Sequence, residues 1–407
     1  MGTVTERVWA EIDLDAIGQN LRYAQARVGG SVGVMAVVKA NAYGHGAVEI
    51  ALETEREGAT ALGVATPGEA IELRSSGIEL PIVVIGSCLE NEIEAAIERG
   101  ISLSLSPGEV FGPIVAAARK LGRRVHVHLL VDTGMSRDGL APDAAIELAE
   151  HVADTPEVHL AGTYTHLATA TEPDKSFCHE QLARFNEVIS ELLARDISPG
   201  MIHCASSSGL FTLASSHFDI VRQGLTLYGA APGEHVAASA DLVPALSLKA
   251  RVIAIREIAA GESVGYSRHF IAERPTRVAT IPMGYADGLR LTEPNRGRVL
   301  INGRRAPVVG RIMMDCVVVD VTSLPAVRLG DEVVVIGKSG RNEITAAQVA
   351  EWCESSPYEV FCSLGPRVRR IYTRSGKPII PRTASAGRES PVEGISPVPD
   401  ASERLTP

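Results

Sequence analysis

The stretch VVKANAYGHG, residues 37–46, places a single lysine between an apolar run and a turn of small residues. The apolar run predicts a buried strand, so Lys39 is expected where that strand ends. A lysine that is desolvated in such a position loses part of its proton affinity and can form an imine with an aldehyde cofactor. A solvated surface lysine is the alternative for any single residue of this type. The run before it and the turn after it favour Lys39 as a reactive amine.

A second candidate for chemistry is the pair His126 and His128, which alternate on a predicted strand. Two histidines could begin a metal site, but a zinc site needs at least a third protein ligand, and none stands at a suitable spacing. The six cysteines lack the CxxC spacing of a zinc site and the pattern of a disulfide framework. We therefore expect core or surface histidines, free thiols and no bound metal.

The elements that must position Lys39 follow a repeating pattern from about residue 12 to about residue 235. Short β-rich runs alternate with longer amphipathic stretches. Strand followed by helix, repeated about eight times, implies parallel strands with crossover helices. This pattern predicts an α/β fold, a (β/α)₈ TIM barrel, whose active sites lie at the carboxyl ends of the strands. Lys39 would then stand at the mouth of the barrel.

The pattern changes after Pro244, where β-rich segments are bounded by Gly and Pro. We expect an N-terminal strand in residues 1–11 that packs with a second domain, the barrel in residues 12–240, and a mostly β C-terminal domain in residues 241–380. Residues 381–407 are rich in Ser, Pro, Gly and charge, a composition that cannot bury enough apolar surface to fold. They predict a disordered tail.

Composition narrows the classes of partner. The 407 residues are 45% hydrophobic and carry a formal net charge of −10. Binding of nucleic acid needs a basic surface that displaces counterions, so this acidic balance argues against it. No apolar run approaches the roughly 20 residues that cross a bilayer, and the N-terminus lacks the pattern of a secretory signal. We expect a soluble cytoplasmic protein that acts on a small molecule and contacts neither nucleic acid nor membrane.

The motifs of this chain resemble those of a known family. The run AVVKANAYGHGA closely resembles the pyridoxal-phosphate signature of the alanine racemases, which are α/β barrels joined to a β domain. One such motif is weak evidence, but eight stand in order within residues 5–375. The other seven are VDTGMSRDG, THLATA, VRQGLTLYG, GESVGYSR, MGYADG, GRIMMD and PYEV. The resemblance implies an isomerase that interconverts L-alanine and D-alanine with pyridoxal 5′-phosphate.

The resemblance also implies which residues hold the cofactor. Lys39 is its covalent anchor, and His166 packs on the cofactor ring. Arg222 is the partner of the pyridine nitrogen, and because an arginine keeps its proton, it leaves that nitrogen a poor electron sink. The resulting carbanion is short-lived, which suits racemisation. The other implied cofactor contacts are Tyr43, Arg137, Ser206, Ser207, Gly224, Leu225 and Tyr358.

Racemisation needs a base on each face of the substrate α-carbon, because a single base returns the proton to the side it came from. The resemblance implies that Lys39 serves one face and Tyr266 the other. An unperturbed tyrosine titrates near about 10, so neighbouring cations must favour its phenolate, with Arg137 and His166 as candidates. In this family the residue matched by Tyr266 reaches the lysine of the opposite subunit. That implies a homodimer with composite active sites.

The resemblance places four residues near the amino acid substrate. Arg137 would hold its carboxylate with a planar fork of donors. Met314 and Asp315 match residues supplied by the partner side, with the Met314 main chain near that carboxylate. Tyr285 matches a residue that lines the entrance, where its bulk would restrict larger substrates.

The sequence departs from the family around the substrate carboxylate. Many members have a carbamylated lysine seven residues before the position of Arg137, where its negative charge orients the arginine; here the residue is Leu130. A bound anion, a nearby carboxylate or water would have to replace that charge. Other departures are Ser206 and Pro357, where asparagine is usual, and Gln223, where proline is usual. The cofactor anchor and both bases are unchanged.

Three other functions are kept as alternatives. The departures around Arg137 motivate a racemase of the same design that prefers serine or a broader set of amino acids. A protein that carries the cofactor without turnover is the non-enzymatic alternative, but it would need no second base such as Tyr266. A pyridoxal-dependent decarboxylase on the same fold is disfavoured by Arg222.

Overall fold

We describe the fold from a computed structural model, which covers residues 6–106, 108–237, 240–290 and 293–381. The disordered tail predicted for residues 381–407 lies outside these ranges after its first residue. Within the described ranges, no helix combines the length and the apolar character needed to cross a membrane.

Eight parallel strands form the barrel that the sequence pattern predicts. A first strand, β1 (Val8–Asp13), precedes them and pairs elsewhere. Hydrogen bonds join the strands in the orders β4-β3-β2-β9 and β5-β6-β7-β8. The barrel strands are β2 (Gly33–Val37), β3 (Ala61–Val64), β4 (Ile82–Val84), β5 (Leu103–Leu105), β6 (Val125–Leu130), β7 (Val158–Tyr164), β8 (Met201–His203) and β9 (Ile220–Gln223).

Main-chain hydrogen bonds close these two groups of strands into a ring. Val84 N donates to Ser102 O at 2.9 Å beside β4 and β5, and Asp219 N donates to Ile202 O at 3.1 Å beside β8 and β9. The strands are short apolar runs because a parallel barrel buries both of their faces, and every residue of β3 and β4 is buried. The predicted TIM barrel is confirmed.

Helices surround the barrel and connect its strands. The first begins after Asp13, whose carboxylate accepts from Asp15 N at 3.0 Å and so caps the helix. The helices of this part are Leu14–Val28, Ala47–Arg56, Pro67–Ser75, Glu90–Glu98, Phe111–Leu121, Pro142–Ala153, Ser176–Ala194, Ser207–Thr212 and Glu234–Ala237. Short 3₁₀ turns lie at Gly108–Val110, Ala214–Ser216 and Leu225–Tyr228.

The second domain is mostly β, as predicted. Its largest sheet has the order β16-β15-β18-β10-β1-β20-β21, with β19 paired to β18, and smaller sheets have the orders β11-β14-β17 and β12-β13. The N-terminal strand β1 thus lies between β10 and β20 of the second domain. The strands are β10 (Leu246–Arg251), β11 (Ala254–Ile258), β12 (Ser263–Val264), β13 (Phe270–Ile271), β14 (Thr276–Ile281), β15 (Arg298–Ile301), β16 (Arg304–Pro307), β17 (Val317–Asp320), β18 (Glu332–Ser339), β19 (Asn342–Ile344), β20 (Arg369–Arg374) and β21 (Lys377–Pro378).

Two short helices of the second domain bring it to the barrel mouth. They are Ala346–Trp352 and Pro357–Cys362. Pro357 stands at the first position of the second helix, where its fixed φ favours helix initiation. That helix packs against Gly44, where an added Cβ would lie only 2.2 Å from the main-chain oxygen of Phe361. Glycine is therefore required at the point where the second domain meets the end of β2.

Candidate active site

Lys39 begins a left-handed turn directly after β2. Residues 40–43 all have positive φ values between 52° and 54°, a conformation that costs L-amino acids about 1–2 kcal/mol each. The Glu69 carboxylate stabilises the turn, because it accepts from Ala40 N and from Ala65 N, each at 2.7 Å. Contacts from a neighbouring helix therefore hold a strained turn that presents the lysine at the barrel mouth.

The surroundings of Lys39 favour its neutral amine. Burial lowers the pKa of Lys39, and the positive charge of Arg137 lowers it further, while the carboxylate of Glu69 acts in the opposite direction. A lysine whose pKa is depressed in this way is a better nucleophile and base near neutral pH than an exposed lysine.

A cavity of about 250 Å³ opens above Lys39. Three of its lining residues are cationic types, Lys39, Arg137 and Arg222, and none carries a carboxylate. Among the predicted cofactor residues, only Leu225 is missing from the lining. It follows Gly224 in the chain and is fully buried. The predicted residues that the cavity brings together are Lys39, Tyr43, Arg137, His166, Ser206, Ser207, Arg222, Gly224 and Tyr358.

Arg222, on β9, is held by a network that fixes its guanidinium. The residue is 4% exposed. Its Nη1 donates to His203 Nδ1 at 2.9 Å, and its Nη2 donates to the main-chain oxygens of Thr165 at 2.8 Å and Cys204 at 2.9 Å. Nη2 also lies 3.1 Å from His166 Nδ1. None of these bonds involves Nε, so within the described residues Nε–H is available to donate to a ligand.

Two buried histidines extend the network behind Arg222. His203 Nδ1 accepts from Arg222, so its proton is assigned to Nε2, which donates to His128 Nδ1 at 3.1 Å. The ring of Tyr164 stacks on His203, with centroids 4.6 Å apart. Burial and the charge of Arg222 hold the pKa of His203 well below its ordinary value, and burial lowers that of His128 to about 4. Both rings are neutral at pH 7, so the positive charge of this network resides on Arg222.

His166 is the third neutral histidine of the site. It lies immediately beyond β7 and lines the cavity beside Arg222. Burial, together with the charges of Arg222, Arg137 and Lys39, lowers the pKa of His166 to about 3. An uncharged ring at this place can pack against an aromatic ligand without adding another positive charge.

Hydroxyl groups gather at another part of the cavity. Ser207 Oγ accepts from Gly224 N at 2.9 Å. The Tyr43 hydroxyl is so close to Gly224 that a Cβ added there would lie 2.8 Å from it. The ring of Tyr358 lies 5.8 Å from that of Tyr43. Burial raises the pKa of Tyr43 and raises that of Tyr358 to about 12, so both hydroxyls remain available as donors.

The cavity has the donors that a phosphorylated aromatic aldehyde requires. Lys39 supplies an amine of lowered pKa, and Arg222 a fixed N–H for a ring nitrogen. Tyr43, Ser207 and Tyr358 supply hydroxyls for a phosphate, which such groups and a glycine main chain can hold without a lysine. The residues present therefore fit pyridoxal phosphate.

The remaining predicted residues lie in the second domain and do not line this cavity. Tyr266, Tyr285 and Met314 are exposed by 72%, 49% and 53%. Asp315 is paired with Arg367, whose Nη1 lies 2.7 Å from its Oδ1. Within one chain, Tyr266 thus lies outside the cavity of Lys39, the residue with which it was predicted to act.

Leu130 lines the same cavity as Arg137. It is the last residue of β6 and is 3% exposed, so it supplies an apolar wall and no charge. Arg137 Nε instead donates to Asp138 Oδ1 at 3.1 Å. A nearby carboxylate, that of Asp138, therefore contacts Arg137 in the loop after β6.

Four residues that shape the site were missed in the sequence. Tyr164 and His203 end β7 and β8, and the barrel rule that selected Lys39 could have identified them. Asp138 stands inside the motif VDTGMSRDG, next to Arg137. Glu69 gave no signal, because a glutamate in the first turn of a helix is usually a solvated residue.

Family models match both domains of the chain. The model described as alanine racemase, N-terminal domain, matches residues 12–232, and the model described as alanine racemase, C-terminal domain, matches residues 245–372. The alanine racemase of Symbiobacterium thermophilum is 42% identical over 364 residues, which are 89% of this chain and 96% of that protein.

Solved structures share the fold over nearly the same length. An alanine racemase of Clostridium difficile 630 has a TM-score of 0.89 at 31% identity, covering 93% of this chain and 98% of its own. The alanine racemase from Bacillus anthracis, solved with bound L-Ala-P, has a TM-score of 0.85 at 34% identity, with the same coverage. Sequence and fold therefore agree over both domains.

Proposed function

Because this chain belongs to the alanine racemase family and interconverts L-alanine and D-alanine, we propose that Lys39 and Tyr266 are the two bases of the reaction. Pyridoxal phosphate, the cofactor of the family, stabilises negative charge at the substrate α-carbon when it is bound. The observation that carries the assignment is the strained turn that presents Lys39 to a cavity of cations and hydroxyls. The relatives do not favour a serine-preferring racemase or a non-catalytic carrier, because they are named as alanine racemases.

Lys39 has two roles in this proposal. Its Nζ would hold the cofactor through the aldehyde group. As a free amine, Nζ would also remove or return the α-proton on one face of the substrate. Burial and Arg137 lower the pKa of Lys39, which favours the neutral amine, the form that can accept a proton.

Arg222 controls how far negative charge spreads from the α-carbon. Its Nε–H would donate a hydrogen bond to the ring nitrogen of the cofactor, but an arginine does not give up its proton. Because His203 and His128 behind it are neutral, neither supplies that proton. Fast return of the proton to carbon is thereby favoured over decarboxylation.

The remaining cavity residues bind and orient. Tyr43, Ser207 and Tyr358 would hold the phosphate, together with the main chain of Gly224 and Leu225. Ser206 would lie near the phenolic oxygen of the cofactor. Arg137 would bind the substrate carboxylate, and His166 would support the face of the cofactor ring.

Tyr266 must come from a partner subunit if it is to reach the α-carbon. It lies outside the cavity of its own chain and exposes 72% of its surface. Tyr285 and Met314 are also exposed on the second domain, and exposed apolar residues of this size are typical of protein interfaces. An isologous homodimer would bring Tyr266, Tyr285, Met314 and Asp315 of each chain to the other's Lys39 and form two composite sites.

Mixing two inactive variants tests both the bases and the dimer. Lys39→Ala and Tyr266→Phe chains are each expected to be inactive as racemases. When they are mixed in equal amounts and exchanged, half of the dimers are mixed, and one of the two sites in each mixed dimer is intact. Activity should then recover to about a quarter of wild type. If the two bases act within one chain, the mixture stays inactive.

We also propose that the protein works in the cytoplasm. All six cysteines are free. Free thiols are typical of a reducing compartment. A disulfide bond between any two of these cysteines in the protein would argue against a cytoplasmic location.

A further inference from the structure

We propose that Asp138 is a positioning residue that orients Arg137 for the substrate carboxylate. The inference rests on the role of Arg137 in the proposed function. The two residues are neighbours in the loop after β6, and Arg137 Nε donates to Asp138 Oδ1 at 3.1 Å. Asp138 itself does not line the cavity, so it acts through the arginine.

The geometry of the contact leaves the arginine free to bind a ligand. Asp138 occupies only Nε. Within the described part of the chain, Nη1 and Nη2 of Arg137 have no protein acceptor. These two nitrogens can receive both oxygens of a carboxylate in a bidentate arrangement. A contact through Nε therefore fixes the orientation of the Arg137 guanidinium and leaves Nη1 and Nη2 available to a ligand.

The charges around the cavity make such an anchor necessary. Lys39 and Arg222 line the same cavity as Arg137, and like charges repel the guanidinium from it. Leu130 also lines this cavity, and its side chain cannot accept a hydrogen bond. The Arg137 side chain is 55% exposed, and the Asp138 side chain only 24%. The less exposed carboxylate thus holds the more exposed cation near the cavity.

The loop itself is held by hydrogen bonds on both sides of the pair. The Asp132 carboxylate accepts from the main-chain N–H groups of Gly134 at 2.9 Å, Met135 at 2.9 Å and Ser136 at 3.0 Å. After the pair, Gly139 N donates to Ser106 Oγ at 2.6 Å. A loop fixed in this way presents Arg137 and Asp138 in a constant relation to the cavity.

The test is the binding of propionate, which is alanine without its amino group and so presents the carboxylate alone. Its dissociation constant is measured by calorimetry on the cofactor-loaded Asp138→Asn variant and on wild type. We expect binding about fivefold weaker in the variant, because an exposed ion pair contributes about 1 kcal/mol. A pure charge effect has the opposite sign, since loss of a negative charge beside the cavity strengthens anion binding. Equal or tighter binding would therefore overturn the proposal.

Kinetics give a second readout. A residue that aligns Arg137 for ground state and transition state alike affects KM more than kcat. For Asp138→Asn we expect KM for alanine to rise about fivefold and kcat to change less than about twofold. A fall in kcat with an unchanged KM would contradict the role.

Two control variants separate position from charge. Asp138→Glu keeps the carboxylate and should restore propionate binding to within about twofold of wild type. Asp196→Asn changes the net charge equally, but lies after the helix Ser176–Ala194, at the end of the barrel away from the cavity. Its φ of 56° suits asparagine as well as aspartate. It should bind propionate like wild type, and equal weakening by Asp138→Asn and Asp196→Asn would overturn the proposal.

A double-mutant cycle distinguishes failure of this inference from failure of the proposed function. Arg137→Ala should weaken propionate binding more than Asp138→Asn does, and adding Asp138→Asn to it should have no further effect. If Arg137→Ala leaves binding unchanged, the proposed role of Arg137 is wrong, and the role of Asp138 fails with it. If Arg137→Ala weakens binding but the two changes are additive, Arg137 binds the carboxylate and Asp138 does not position it. Melting temperature and cofactor content of each variant report folding.

Discussion

The barrel mouth and the exposed face of the second domain are built in opposite ways, although both are assigned to one reaction. At the barrel mouth, Arg222 is 4% exposed and is bonded through both Nη atoms to its own chain. On the second domain, Tyr266 is 72% exposed and lies outside the cavity. The first region is complete within one chain, whereas the second presents its reactive group outward.

This difference follows from the cost of burying polar groups. A buried cation such as Arg222 must bring its own hydrogen-bond partners, because an unpaired polar group in the interior is strongly destabilising. An exposed phenol has no such requirement, because water satisfies it. Changes at the barrel mouth should therefore alter folding and chemistry together, whereas changes at Tyr266 should alter chemistry alone.

The largest effect is expected at Lys39. Lys39→Ala should abolish exchange of the α-proton of both L-alanine and D-alanine in D₂O, with losses of at least about 10⁴-fold, because the residue is both cofactor anchor and base. Proton NMR of each enantiomer measures the loss. Lys120→Ala is the matched control, since Lys120 forms a surface ion pair with Glu94 at 2.7 Å. If the Lys39→Ala variant exchanges the α-proton of either enantiomer at the wild-type rate, Lys39 is not both the cofactor anchor and a base.

Tyr266→Phe should have a smaller and one-sided effect. Proton removal from one enantiomer should fall by about 10³-fold, while the enantiomer that faces Lys39 should keep most of its exchange. Initial rates of α-proton loss, measured separately on L-alanine and D-alanine, distinguish the two. The melting temperature should stay close to that of wild type, since the change removes one hydroxyl from a side chain that is exposed on its own chain. Equal losses for both enantiomers would show that the two groups do not serve separate faces.

Most of the barrel part of the site could be predicted from the sequence, because the carboxyl ends of the parallel strands of a barrel lie together at its mouth. Lys39 was placed in this way, whereas His166 and Arg222 came from the resemblance to the family, and the cavity brings the three together. The left-handed turn after Lys39 could not be predicted. Alanine and tyrosine have no preference for that conformation, and distant contacts such as that of Glu69 impose it. Only Asn41, inside the turn, and Gly44, at its end, signal it locally.

The second domain was harder to predict in the places that matter for the site. Its β-rich pattern was correct, but Tyr358 lies on the helix Pro357–Cys362, for which the proline at its start was the only local sign. The separation of Tyr266 from Lys39 within one chain also has no local signal. It depends on how two domains are oriented, which periodicity does not describe.

The smallest predicted effect uses pH to compare the two regions. His45 is fully buried beside the Lys39 turn, with ring centroids 4.5 Å from Tyr228 and 4.9 Å from Phe361. Its Nδ1 lies 2.9 Å from the main-chain oxygen of Tyr43, and its Nε2 has no partner among the described residues. Burial lowers the pKa of His45 to about 4. The folded protein thus resists protonation of this ring, whereas the unfolded chain accepts the proton near about pH 6.5.

Stability should therefore fall as the pH falls from about 6.5 to about 4, because in this range His45 binds a proton in the unfolded chain but not in the folded protein. This residue contributes at most about 1.4 kcal/mol per pH unit to the slope. His45→Phe keeps an aromatic ring but cannot titrate, so its melting temperature should depend less steeply on pH, even if it is lower at pH 7.5. Tyr266→Phe should keep the wild-type slope, because it removes no buried group. If the melting temperature of His45→Phe depends on pH as steeply as that of wild type, His45 does not couple the stability of the buried region to pH. The two regions would then not differ in how their stability responds to pH.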